Sequence, residues 1–196
     1  MTAFILPLSD PAATDPEQVG PKAANLAALG QAGLLTPGGF ALTAQAYRRQ
    51  IEHLGIGDLV GAYNAADLPS ARKLSVQIRL ALYQQPIAPE ILRPLLDAWR
   101  AQRADVPLGA VRSSALVEDR KGANFAGQFE SFLGLSIEAE FQTAVRACWA
   151  ALWTSNARRY MDNHELSPAD TAMGVLIQPL ISARASGGAL SETAEG

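Results

Sequence analysis

The chain has 196 residues, 48% of them hydrophobic and 18% charged, and a formal net charge of −3. That length suffices for one domain with a real core or for two small lobes, and the balance belongs to a folded rather than a disordered protein. The slight acidity argues against a general nucleic-acid binder, which needs a basic face, so any basic residue that matters must act locally.

A single cysteine, Cys148, rules out an intrachain disulfide and fits a cytoplasmic chain. The opening run Met1-Thr2-Ala3-Phe4-Ile5-Leu6-Pro7 has no basic segment and is soon interrupted by Asp10 and Pro11, so it does not read as a signal peptide. Apolar runs such as Met173 to Ile177 fall far short of the ~20 residues that a membrane span needs, and no membrane partner is expected.

Residues 4–7 read as a first strand. Residues 21–33 read as a helix, opened by Pro21, with Ala24, Leu26, Ala27 and Leu29 as its apolar face and Gly30 or Gly33 as its end. The cluster from Leu34 to Gly39 is a turn, Phe40 to Thr43 a short strand, and Thr43 caps a helix running from about Ala44 to Leu54. Between 57 and 104 the pattern is helical in pieces. Ser70 to Tyr83 carries Leu74, Ile78, Leu80 and Leu82; after Pro86 and Pro89, Glu90 to Arg103 carries Ile91, Leu92, Leu95, Leu96 and Trp99. Residues 108–113 read as a strand leading to a loop rich in Gly, Ser, Asp and Glu, and residues near 131–135 as another strand. Glu138 to Asn163 reads as one long helix, residues 173–179 as a buried strand, and Ser186 to Leu190 as the start of one more. The sum is an α+β fold, a helix-rich front packed on a small mixed sheet.

Four clusters suit phosphate. Gly20-Pro21-Lys22 opens a helix, where backbone N–H groups and the helix dipole favour an anion and Lys22 adds a point charge; the alternative is a solvated lysine. Arg112 ends an apolar strand and offers a guanidinium fork to phosphate oxygens; the alternative is an ion pair with Glu118 or Asp119. The loop from Lys121 to Glu130 contains Gly122 and Gly127, which let backbone N–H groups approach a polyphosphate, although neither a Walker P-loop nor a G-x-G-x-x-G run is present; the alternative is a plain flexible loop. Gln178 follows a strand and could bond the edge of a base. His53 and His164 have no metal-ligand spacing, Cys148 sits on an apolar helical face, and Trp149 and Trp153 at i, i+4 read as core.

In order, these clusters resemble the N-terminal nucleotide-binding domain of phosphoenolpyruvate synthase, pyruvate phosphate dikinase and rifampicin phosphotransferase. The family's G-G-K-x-x-N-L-x-x-L helix is matched by Gly20 to Leu29, and its P-x-G-F turn by Pro37-Gly38-Gly39-Phe40. Its V-R-S-S-A-x-x-E-D and F-A-G-Q-x-E/D-T/S runs are matched by Val111 to Asp119 and by Phe125 to Ser131. Trp149 to Trp153 with Ala157 and Tyr160, and Val175 to Leu180, match two further patterns.

The resemblance implies an ATP-grasp-type fold in which residues 1–196 form a partial AMP/ATP-binding domain, about 1–110 being a first lobe and about 111–196 the start of a second. It implies ATP as cofactor. Lys22 and Arg112 would lie at the phosphates, Gly127 and Ser131 in the loop closing over them, and Gln178 by the adenine. It also implies ATP-dependent phosphoryl transfer by a larger transferase. The Mg2+ ligands, the phosphohistidine domain and the acceptor domain would lie on a continuing or separate chain, so no catalytic residue falls within this one and isolated binding of Mg-ATP would be weak. The alternative is a non-catalytic truncated paralogue serving as a nucleotide-binding or regulatory module. Pro21 stands where the family has a second glycine, Ser131 where threonine is commoner, and Ser186 to Thr193 depart from the family's S-G-V-A-F-T run.

Overall fold

The computed structural model describes residues 3–118 and 129–187. Five strands form one sheet: β1 (Ile5–Pro7), β2 (Phe40–Leu42), β3 (Gly109–Ala115), β4 (Ser131–Leu135) and β5 (Met173–Pro179). Their spatial order is β1-β2-β5-β3-β4. The fold is α+β as the periodicities require, but every pairing is antiparallel where a mixed sheet was expected. The last of these strands in the sequence, β5, fills the slot between β2 and β3. The division expected near residue 110 therefore falls inside β3, in a sheet that draws strands from both sides of it.

The register defines two faces, because directly paired residues in antiparallel strands point to the same side. One row runs across all five strands: Leu6, Ala41, Leu176, Arg112 and Ser131. The neighbouring row, Pro7, Phe40, Ile177, Val111 and Phe132, faces the other way.

The second face carries the main core. On it lie α3 (Ala44–His53), α4 (Gly57–Tyr63), α5 (Leu68–Gln84), α6 (Pro89–Arg103) and α7 (Glu138–Ala151). Ile78, Leu82, Ile91, Leu95, Phe141, Val145 and Trp149 of these helices join Phe40, Val111 and Ile177 in one buried cluster. Trp99 stacks on Phe141 with centroids 4.1 Å apart, and only a glycine fits beneath it, since a Cβ at Gly109 would meet the indole at 2.3 Å. Cys148 is buried here too, as its place on an apolar face suggested, and burial pushes its thiol up to about 12.

The helix expected over Glu138–Asn163 is two helices. Thr154 ends the first by capping α8 (Ser155–Asp162), its hydroxyl accepting from the Ala157 N–H at 3.3 Å. The apolar spacing runs on through the break, so periodicity alone joined the pieces. Trp153, in the break, stays buried and donates its indole N–H to the Tyr47 hydroxyl at 2.8 Å.

The first face is covered only in part. A short helix α1 (Pro16–Val19) and α2 (Pro21–Gln31) lie on it, with Val19, Ala23, Ala24 and Ala27 packed on Leu6, Ala41 and Leu176. The buried side of α2 is thus lined by alanine, while Leu29, expected on the apolar face, is 46% exposed. Small side chains let the helix approach the sheet closely. A Cβ at Gly20, whose φ is 76°, would sit 2.1 Å from the Ser114 carbonyl oxygen, and one at Gly174 would sit 2.4 Å from that of Val19. Of the strand expected at 186–190, Ser186 and Gly187 carry no strand structure and the rest lies outside the described residues.

Candidate functional site

The cover over the first face stops part-way along the row that crosses the sheet. Leu6, Ala41 and Leu176 are buried beneath α1 and α2, and the next two positions, Arg112 and Ser131, are exposed. One row on, Gln178 pairs with Ala110 and Ala110 with Leu133, which is 63% exposed. The open strip therefore presents Arg112 from the middle of β3, which runs on to Ala115 instead of ending at the arginine as expected, and Ser131 from the edge strand β4, with Gln178, itself buried, on the same face of β5.

Lys22 reaches this strip from the first turn of α2. Its Nζ donates to the Ser113 carbonyl at 2.9 Å and to Glu118 Oε1 at 2.8 Å, and lies 2.8 Å from Glu118 Oε2. The lysine is thus attached to the residue that follows Arg112 in the strand. Glu118 is buried and also accepts from the Ala115 N–H at 3.3 Å, while the Lys22 side chain keeps 37% exposure. A solvated, mobile lysine is not what the structure shows: the ammonium is pinned and partly neutralised. The Phe129 ring lies 6.0 Å from it, within cation–π range.

Four of the five sequence-predicted positions come together on one face: Lys22, Arg112, Ser131 and Gln178. Gly127 lies outside the described residues, as do Asp119 and Gly122 of the same loop. The ion pair weighed for Arg112 with Glu118 goes instead to Lys22. Among the described residues no carboxylate pairs with the Arg112 guanidinium. The anion-binding reading of the α2 N-terminus also changes, because the Ala23 N–H is taken by the Ser114 hydroxyl at 3.3 Å. An internal hydroxyl does there what a bound phosphate would do.

Two participants were not singled out from the sequence in these roles: Glu118 as the holder of Lys22, and Ser114 as the cap of α2. Both stand in the Val111 to Asp119 run that carried the resemblance, Ser114 near the end of β3 and Glu118 three residues after it, and the signal for them is a polar pair at the close of an apolar strand. The described residues bring together no group of three His, Cys, Asp or Glu side chains suited to a metal ion, and contain no helix long and apolar enough to cross a membrane.

Residues 16–196 match the family model described as pyruvate phosphate dikinase, AMP/ATP-binding domain. The chain is 37% identical over 178 residues to a phosphoenolpyruvate synthase of Aeropyrum pernix, covering 86% of this chain and 22% of that protein. It is 31% identical over 194 residues to a probable phosphoenolpyruvate synthase of Staphylothermus marinus, covering 94% and 23% respectively. It is 31% identical over 189 residues to a rifampicin phosphotransferase of a Streptomyces species, covering 94% and 22%. The chain spans between a fifth and a quarter of the length of these curated relatives.

Proposed function

This chain belongs to the pyruvate phosphate dikinase AMP/ATP-binding domain family, and on that footing we propose that its open sheet face binds the phosphates of ATP within a larger phosphotransferase like those it resembles. Arg112 carries the reading. It is a guanidinium midway along β3, exposed, without a carboxylate partner among the described residues, and it shares its face of the sheet with a second cation that Ser113 and Glu118 hold in place. An uncompensated fork of donors beside a fixed ammonium suits the bidentate, multiply charged oxygens of a polyphosphate.

In phosphoryl transfer the protein's work is mostly positioning and neutralisation of charge. In this proposal Arg112 grips phosphate oxygens, Lys22 adds a donor whose direction Glu118 fixes, Ser131 offers a hydroxyl from the neighbouring strand, and Gln178 lies toward the base. Mg2+ would shield the phosphate charge, its ligands coming from residues other than those described. The acceptor and the phosphohistidine relay belong to the rest of the larger protein.

The test is a titration of the chain with ATP followed by amide chemical shifts. The expected shifts cluster at Ser113, Ser131 and Leu133, and Arg112→Ala weakens the interaction by roughly tenfold or more, one charge-assisted hydrogen-bonded pair. Shifts confined to another surface, or an Arg112→Ala variant that binds as before, would overturn the assignment.

A further inference from the structure

Behind the sheet, between α5 and α8, lies a cleft of about 460 Å³ that is distinct from the face described above. Arg72 and Arg79 of α5 line it together with Arg158 and Arg159 of α8. Asp162 is the one carboxylate in this lining, so four guanidiniums stand against a single negative charge. Among the described residues none of the four arginines is in an ion pair.

Helical spacing explains how they converge. Positions 72, 76 and 79 share a face of α5, and positions 155, 158, 159 and 162 share one of α8. Four guanidiniums along one cleft raise its positive potential, which a bound anion would offset. Arg158 is the buried member of the four. It is only 7% exposed, and its Nε and Nη1 are buried without a hydrogen-bond acceptor among the described residues. It also hydrogen-bonds the Tyr63 phenol, whose ionised form burial disfavours most, Arg158 favours and Asp162 disfavours. These two donors do not open onto the cleft, so Arg158 acts there as a fixed positive charge in the wall, while the exposed Arg72, Arg79 and Arg159 supply the donors that an anion would reach. The exposed Ser155 and Asn156 stand beside it in the first turn of α8, adding the positive end of a helix.

We propose that this arginine-lined cleft is a second anion site, taking the phosphate of a small phosphorylated molecule independently of the face around Arg112. The chemistry is that of a dianion or polyanion gripped by several forks at once, with Trp153 forming an apolar floor.

Amide spectra of the chain titrated with inorganic phosphate, and separately with pyrophosphate, test it. The expected shifts fall at Arg72, Val76, Ser155 and Arg159, and weaken with added salt. The double variant Arg72→Ala/Arg159→Ala, both at exposed positions, should lower the affinity roughly tenfold or more while Arg112→Ala leaves it unchanged. Asp162→Asn should raise it, and Lys73→Ala, on the same helix but outside the cleft, should not alter it. No phosphate-dependent shift at these positions, or equal loss with Arg72→Ala/Arg159→Ala and Lys73→Ala, overturns the proposal. Loss with Arg112→Ala would also overturn it, since the two sites would then be one. Because the readouts lie on opposite sides of the sheet, failure here leaves the nucleotide reading standing, and the reverse.

Discussion

The two faces of the sheet share one register but carry different loads. Behind it, Phe40, Ile177 and Val111 are sealed by helices that supply Trp99, Phe141 and Trp149, and large side chains set the spacing. In front, α2 meets the sheet through alanines and the backbone of Gly20, and the cover ends between Leu176 and Arg112. The rear face is built to exclude water. The front face is built so that a helix N-terminus, the middle of β3 and an edge strand share one side of the sheet while part of the surface stays open. The contrast separates residues that hold the fold from residues left over for chemistry, and it can be broken at three points.

The largest effect is expected at Trp99. Its ring is buried and stacked on Phe141, and it fills the space above Gly109 that no other side chain enters. Trp99→Ala removes that burial and leaves a cavity, at a cost of ~3–5 kcal/mol. Denaturant unfolding should show the loss directly. A loss under 1 kcal/mol would mean that the rear face is not the stabilising one.

An intermediate effect is expected at Lys22, where the front face mixes both roles. Lys22→Met keeps the stem but strands the buried Glu118 without its cation. The pair is half-exposed on the lysine side, so the cost should be ~1–3 kcal/mol, between the values for surface and buried pairs. Adding Glu118→Gln should recover part of it, because the carboxamide oxygen can still accept from Ala115. A double-mutant cycle with no coupling would show that the contact is incidental.

Strands and helices were legible in the sequence because their periods differ and glycine and proline punctuate them. The run Phe40–Leu42 and the run Met173–Pro179 each appeared near where they were expected. What failed has a common cause: periodicity reports which residues are apolar, not what they meet. It joined α7 to α8 across Thr154, because Trp153 is buried in the break as well as it would be in a helix. It placed Leu29 inside, although the buried side of α2 is lined mainly by alanines where the helix approaches the sheet closely. The site was legible as a set of residues but not as a circuit. Lys22 and Glu118 are 96 positions apart, and nothing local says that the carboxylate prefers the lysine to the arginine that stands only six residues before it. The order of strands was hidden for the same reason, since β5 enters between β2 and β3 by long-range pairing.

The smallest effect on stability is expected at Arg112, and it is the sharpest test of the contrast. Its row neighbours Leu6, Ala41 and Leu176 are buried, yet its own side chain is exposed and has no carboxylate to lose among the described residues. Arg112→Ala removes neither a core contact nor a compensating charge, so unfolding free energy should change by no more than ~0.5 kcal/mol. A drop comparable to that of Lys22→Met would mean that the guanidinium is a structural prop and that the front face holds the fold as the rear one does. If stability instead stays flat while ATP no longer perturbs Ser131, then β3 keeps a charge the fold does not need, and a ligand is the remaining reason for it.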